Sequence, residues 1–267
     1  LTDEKALQKA ERYRIIERSY TGLIRNGALL SDEDKKKLTA IDMEMSRLSL
    51  DFSNHVLAAT NSFIVHITDP KEVEGIPESA LNAAAYTAKQ KGKDGGWIFT
   101  LQPSSLMPVL TYCKNRELRK KLQKAYASRA YKGKFDNQEL ILKIVQLRYK
   151  RAKLLGFKNH AEYVLKERMA GSPKAVLDFL DKIYRVAYPA AKAEVKETAA
   201  YAKAKDGLAK LMPWDFGYYS NKLKEERYAY DPEQLRPWFK VENVIKGLFK
   251  VAKKIYGIDL KRVKDVP

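Results

Sequence analysis

The 267 residues predict a mainly α fold: a multi-helix body carrying one small β-ribbon. Apolar residues recur at three- and four-residue steps along most of the chain, the signature of helices with one buried face. Only 13 glycines and 10 prolines interrupt it, so long regular elements are tolerated. Two short runs alone alternate in the β manner. The chain reads as a single unit over 1–267, with a sub-division near 60–102 where the ribbon is inserted.

Taken in order, Leu38, Ile41, Met45, Leu48, Phe52 and Val56 trace one apolar stripe over about five turns. Ser31, with Asp34 three residues later, marks the start of that helix. Phe63-Ile-Val-His-Ile-Thr then alternates and stops at Asp69-Pro70, and Trp97-Ile-Phe-Thr-Leu follows Gly95-Gly96. These two runs pair as the only expected sheet. Between them Pro77 opens a short helix. Asn115 caps a basic helix to about Arg129, and Asp136 caps the next, with Leu140, Ile144, Leu147 and Leu154 on one side and Gly156 as the stop. Ser172-Pro173 places proline at the first helical position, a strong start signal. Val176, Leu177, Leu180, Ile183 and Tyr184 give that helix an inward face, and it continues past Pro189 with a kink. Asp231-Pro232 repeats the cap-proline device. Gly257 ends a last helix carrying Val244, Ile245, Leu248, Val251 and Ile255.

At this length, with 45% hydrophobic residues, a substantial core is expected. Cys113 is the sole cysteine, which excludes an internal disulfide and reads as a buried structural thiol. Fifty-one basic against 33 acidic residues give +18, a balance that suits nucleic acid, an anionic surface or an acidic partner. The lysines are scattered, however; the longest run, Lys35 to Lys37, directly follows Asp32, Glu33 and Asp34. No apolar stretch approaches the roughly 20 residues needed to span a bilayer. The start Leu1-Thr-Asp-Glu-Lys is charged and does not read as a signal peptide, but a chain that begins with Leu rather than Met does not report on a removed targeting segment. The expected compartment is the cytoplasm, with the periplasm as the alternative.

Reactive constellations are few. His55, His66 and His160 lie too far apart for a local metal-ligand set, and HExxH does not occur. His160 reads as a hydrogen-bonded structural histidine near a helix start. Glu225 and Glu226 are adjacent, about 100° apart on a helix, and cannot form an acid–base dyad unaided; they read as surface charge. The most unusual segment is Pro213-Trp-Asp-Phe-Gly-Tyr-Tyr, with four aromatics in six residues. Rings with polar tips can line a channel for extended peptide. The competing reading is a helix packed into the core with its hydroxyls satisfied internally.

Several segments together resemble the thimet-oligopeptidase family of zinc metallopeptidases, most closely its peptidyl-dipeptidase and oligopeptidase A branch. They are Leu48-Ser-Leu-Asp-Phe-Ser-Asn, Gly75-Ile-Pro-Glu-Ser, Thr100-Leu-Gln-Pro-Ser-Ser-Leu-Met-Pro-Val-Leu, Asn115-Arg-Glu-Leu-Arg, Arg151-Ala-Lys-Leu-Leu-Gly-Phe and Arg168-Met-Ala-Gly-Ser-Pro. Pro213-Trp-Asp-Phe-Gly-Tyr-Tyr, Leu235-Arg-Pro-Trp-Phe and Val241-Glu-Asn-Val-Ile-Lys-Gly-Leu-Phe follow in the family's order. Arg-Pro-Trp-Phe and the closing Lys-Asp-Val-Pro tilt the resemblance toward peptidyl-dipeptidase, which releases C-terminal dipeptides from short peptides.

The resemblance implies a clam-shaped helical metallopeptidase whose long channel admits short peptides. Its zinc is held by HExxH and a later glutamate, with the motif's own glutamate as general base. None of those positions maps here. The implied role is therefore the helical, pre-catalytic channel wall, inactive alone, with the missing catalytic half of the same protein as partner. Zinc belongs to the parent enzyme and none to this chain; catalytic and metal residues in it are none. Trp214, Asp215, Tyr218 and Tyr219 are the substrate-binding candidates. Neither nucleic acid nor membrane is an expected partner. From composition alone, the rival is a basic helical module binding RNA or an acidic protein, with binding that falls steeply with salt.

Overall fold

The structure, a computed structural model, describes residues 4–229, 235, 237–261 and 263, with side chains from Ala10 onward. Its α-helices are α1 (Glu4–Arg25), α2 (Asp32–Ser62), α3 (Glu78–Gln90), α4 (Pro103–Tyr112), α5 (Arg116–Ala127), α6 (Gln138–Leu154), α7 (His160–Leu165), α8 (Pro173–Asp206), α9 (Pro213–Tyr228) and α10 (Val241–Tyr256). Strands β1 (Ile64–Ile67) and β2 (Trp97–Thr100) form one antiparallel ribbon, with Val65 opposite Phe99 and His66 opposite Ile98. The mainly α expectation and its single ribbon hold among the described residues.

Local chemistry explains most boundaries. Ser31 Oγ accepts the Asp34 N–H, and the Asn115 side chain accepts from Glu117 and Leu118. Ser172 Oγ accepts from Ala175, with Pro173 at the first turn of α8. Each satisfies amides that the first helical turn leaves without a partner. Gly257 ends α10 in the left-handed conformation (φ 68°) that glycine adopts without steric cost. Gly96 is required more strictly: at φ 74°, an added Cβ would lie 2.3 Å from the Ile67 carbonyl oxygen.

Three hydrophobic clusters hold the body. The largest contains 12 buried residues, among them Val65, Phe99, Leu106, Val109 and Leu122, and joins the ribbon to α3, α4 and α5. A second sets Leu48 of α2 against Ile144 and Leu147 of α6. There Arg151 also clasps Asp42, with Nε 2.7 Å from Oδ1. The third packs Ala202 of α8 with Tyr218 and Tyr219 of α9. Each large apolar side chain removed from water contributes about 1.5–3 kcal/mol, so the ribbon block dominates local stability.

Several expectations need correction. Asn137, not Asp136, occupies the cap position of α6; Asp136 stands one residue earlier, where its Oδ1 accepts the Gln138 N–H. The expected inward face of α8 is largely uncovered: Leu177, Leu180, Ile183 and Tyr184 are all exposed. The stripe is real, but among the described residues α9 packs only on the far end, near Thr198 and Ala202. His160 does start α7, yet its Nδ1 is buried with no hydrogen-bond partner among the described residues; its ring stacks on Tyr163. Helix α1 is not among the elements expected from the sequence. The Asp231-Pro232 cap lies outside the described residues.

Candidate functional site

The aromatic segment is helix α9. Pro213 sits in its first turn, and Asp215 folds back so that Oδ2 accepts the Met212 N–H at 3.1 Å. Asp215 is fully buried, and two arginines of α5 reach it. Arg116 binds both oxygens, Nε to Oδ1 at 2.9 Å and Nη2 to Oδ2 at 2.7 Å. Arg119, 1% exposed, donates Nη2 to Oδ1 at 3.1 Å. It also donates Nε to the Trp214 carbonyl and Nη1 to the carbonyls of Cys113 and Lys114.

Taking such charges out of water costs several kcal/mol per ion, and only close, well-saturated geometry offsets it. Here both oxygens of Asp215 are bonded, and Arg119 makes four hydrogen bonds. Burial works to raise the Asp215 carboxyl, but the bonds from Arg116, Met212 N–H and Arg119 outweigh it and hold the group below the usual carboxylate range. Cys113 beside this node is fully buried, and burial foremost pushes its thiol up, as expected of a structural cysteine.

The node sets the aromatic rings. The Arg119 guanidinium lies 4.2 Å from the Tyr218 ring centroid, and Tyr218 meets Tyr219 edge-on at 5.1 Å. Tyr219 is buried among Ala202, Leu208 and Leu211; burial foremost, with the Asp206 carboxylate beside it, pushes its phenol up to about 12. Trp214 is half-buried, with Arg116, Lys120 and Lys124 at 5.6–5.8 Å from its ring centroid. Its Nε1 is buried without a hydrogen-bond partner among the described residues.

Tyr218 also forms the wall of an open groove of about 520 Å³ between α9, the end of α4 and the start of α3. Lys114, Lys222, Glu78 and Glu225 line it, so it presents both signs of charge. Gly75 allows the neighbouring turn to close on α4: at φ 88°, an added Cβ would lie 2.4 Å from the Tyr112 carbonyl oxygen.

The four candidates thus share one helix but not one environment. Asp215, Tyr218 and Tyr219 are all buried, Tyr218 with one edge in the groove wall, and Trp214 lies beneath a basic ridge. Arg116 and Arg119 were missed as site residues because they stand 99 and 96 residues from Asp215 in sequence. A signal existed: their three-residue spacing in Asn115-Arg-Glu-Leu-Arg puts both on one helical face. Glu225 accepts from Asn221, and Glu226 pairs with Lys205, so neither joins an acid–base dyad. Among the described residues no three His, Cys, Asp or Glu side chains converge to hold a metal, so a zinc ion has no donor set there. No described helix is long and apolar enough to cross a membrane.

Fold and site define a helical framework that fixes an aromatic helix beside a groove. The family model described as Peptidase family M3 matches residues 109–267, and the chain belongs to that family. It is 41% identical over 250 residues to oligopeptidase A of Haemophilus influenzae, covering 92% of this chain and 37% of that protein. Against the organellar oligopeptidase A of Arabidopsis thaliana it is 38% identical over 97% of this chain and 34% of the relative. Against the dipeptidyl carboxypeptidase of Escherichia coli the figures are 30%, 97% and 38%. The chain spans little more than a third of the length of these relatives.

Proposed function

We propose that this chain is the helical channel-wall portion of a zinc-dependent M3 peptidase that acts on short peptides. The family match over 109–267 carries the reading. Zinc and its general base would come from residues outside these 267, since HExxH is absent from the sequence. The wall contributes size selection and substrate positioning, that is, proximity, while the bond-breaking groups lie elsewhere. Tyr218, nearly buried, offers peptide only the edge that lines the groove; Asp215 and Tyr219 position it, and Trp214 presents its ring from beneath the α5 ridge.

Cleavage within short peptides is the first reading, because identity to oligopeptidase A exceeds that to dipeptidyl carboxypeptidase. Release of C-terminal dipeptides is the second, on the wording of Leu235 to Phe239. The test joins this chain to the HExxH-bearing portion of an M3 relative and offers a tetrapeptide as free acid and as C-terminal amide. Internal cleavage proceeds on both substrates; dipeptide release favours the free acid. Failure of the joined protein to hydrolyse either one, although folded and zinc-loaded, refutes the proposal. RNA binding that collapses with added salt would instead support the basic-module reading.

A further inference from the structure

A second hollow, of about 380 Å³, lies away from α9, where the end of α2, the end of α5 and the 129–135 loop meet. Its floor is apolar, made by Phe63, Leu101 and Ala125, and its lining carries Arg129, Lys132 and Lys134 but no carboxylate. What sets the hollow apart from the groove beside Tyr218, whose lining includes Glu78 and Glu225, is that its three cations share one lining with no acid among them. Arg129 instead donates Nε to the Tyr126 carbonyl at 3.0 Å and Nη1 to Thr60 Oγ1 at 3.3 Å. Lys132 and Lys134 lie over the rings of Tyr131 and Phe135 at 5.2 and 5.6 Å. The neighbouring acid, Asp136, is bonded at both oxygens by Gln138 and also lies against the backbone N–H groups of Lys132 and Asn137, outside the lining of the hollow.

The loop is held in a conformation its side chains do not favour. Ala130 and Lys132 have φ of 54° and 64°, and Lys132 combines this with ψ 162°, a region nearly reserved for glycine. Asn137 fixes it: its N–H donates to the Ala130 carbonyl at 3.0 Å, while its side chain bonds Phe52 and His55 of α2. A strained loop maintained by such bonds, bordering a partly apolar hollow whose rim carries three cations, suits a ligand site.

We infer that this hollow binds the terminal carboxylate of a short peptide, or an amino-acid derivative, whose last side chain is apolar. The cations take the carboxylate, and the Phe63–Leu101–Ala125 floor takes the side chain. The choice of a peptide carboxylate rests on the peptidase reading; the anion site does not, and the test requires no catalysis. Calorimetric titration of the 267-residue polypeptide uses N-acetyl-leucine, its neutral amide and inorganic phosphate as probes. N-acetyl-leucine should bind saturably, at least tenfold more tightly than either other probe, and more weakly as salt rises. The double variant K132Q/K134Q, at two exposed positions, should lose at least tenfold in that affinity with its helical circular dichroism unchanged. Absence of binding, equal binding of the amide or of phosphate, or undiminished binding by the variant would each overturn the inference.

Discussion

Asp215 is the residue on which the site turns. Replacing it with Asn removes the charge that compensates a fully buried Arg119, and breaking such a pair costs about 3–5 kcal/mol. Urea unfolding of Asp215→Asn should show a loss of that order. The sign of the pH effect follows from the lowered carboxyl: its contribution is complete above the ordinary aspartate range near pH 4 and is lost as pH falls through the lower folded value. Stability of the parent chain should therefore drop on acidification below about pH 4, and the variant's profile should be flatter there. Gly96→Ala tests the ribbon corner, with an expected loss of about 1–3 kcal/mol from backbone strain and the clash with Ile67. The helix caps at Ser31, Asn115 and Ser172 were legible in the sequence because a cap acts over three residues. The Asp215–Arg119 contact was not, because nothing local links positions 96 residues apart.

Among the elements, α8 and α10 show where periodicity stops informing. Their apolar stripes are evident in the sequence, but periodicity does not say what covers them. Leu177, Leu180 and Ile183 of α8, and Val244, Leu248, Val251 and Ile255 of α10, are exposed. Contiguous apolar faces of this kind drive association in water. The isolated chain should therefore self-associate in sedimentation velocity, and Leu180→Glu with Leu248→Glu should shift it toward monomer. The same pair should change unfolding free energy by less than about 1 kcal/mol, as befits surface positions; a loss of several kcal/mol would mean the faces pack within the chain. Helix α9 was ambiguous for the opposite reason. Its aromatic residues point to every side, so only the packing of Tyr219 against Ala202 and of Arg119 over Tyr218 separates interior from groove.

For the molecule as a whole, fold class, ribbon and family were legible, since nine short segments in order constrain a chain more than any one of them. The charge balance was less informative. Most of the +18 is dispersed, and the exposed run Lys35 to Lys37 is partly neutralised, with Lys35 paired to Asp32 and Lys37 to Glu33 and Asp34. The central claim, that these helices position substrate for a hydrolytic centre they do not contain, is met most directly by one experiment. The purified 267-residue polypeptide is incubated with zinc and a blocked tetrapeptide, and both bound metal and cleavage are measured. The account predicts no stoichiometric zinc and no chelator-sensitive turnover. One tightly held zinc per chain, with hydrolysis that a chelator abolishes, would contradict it.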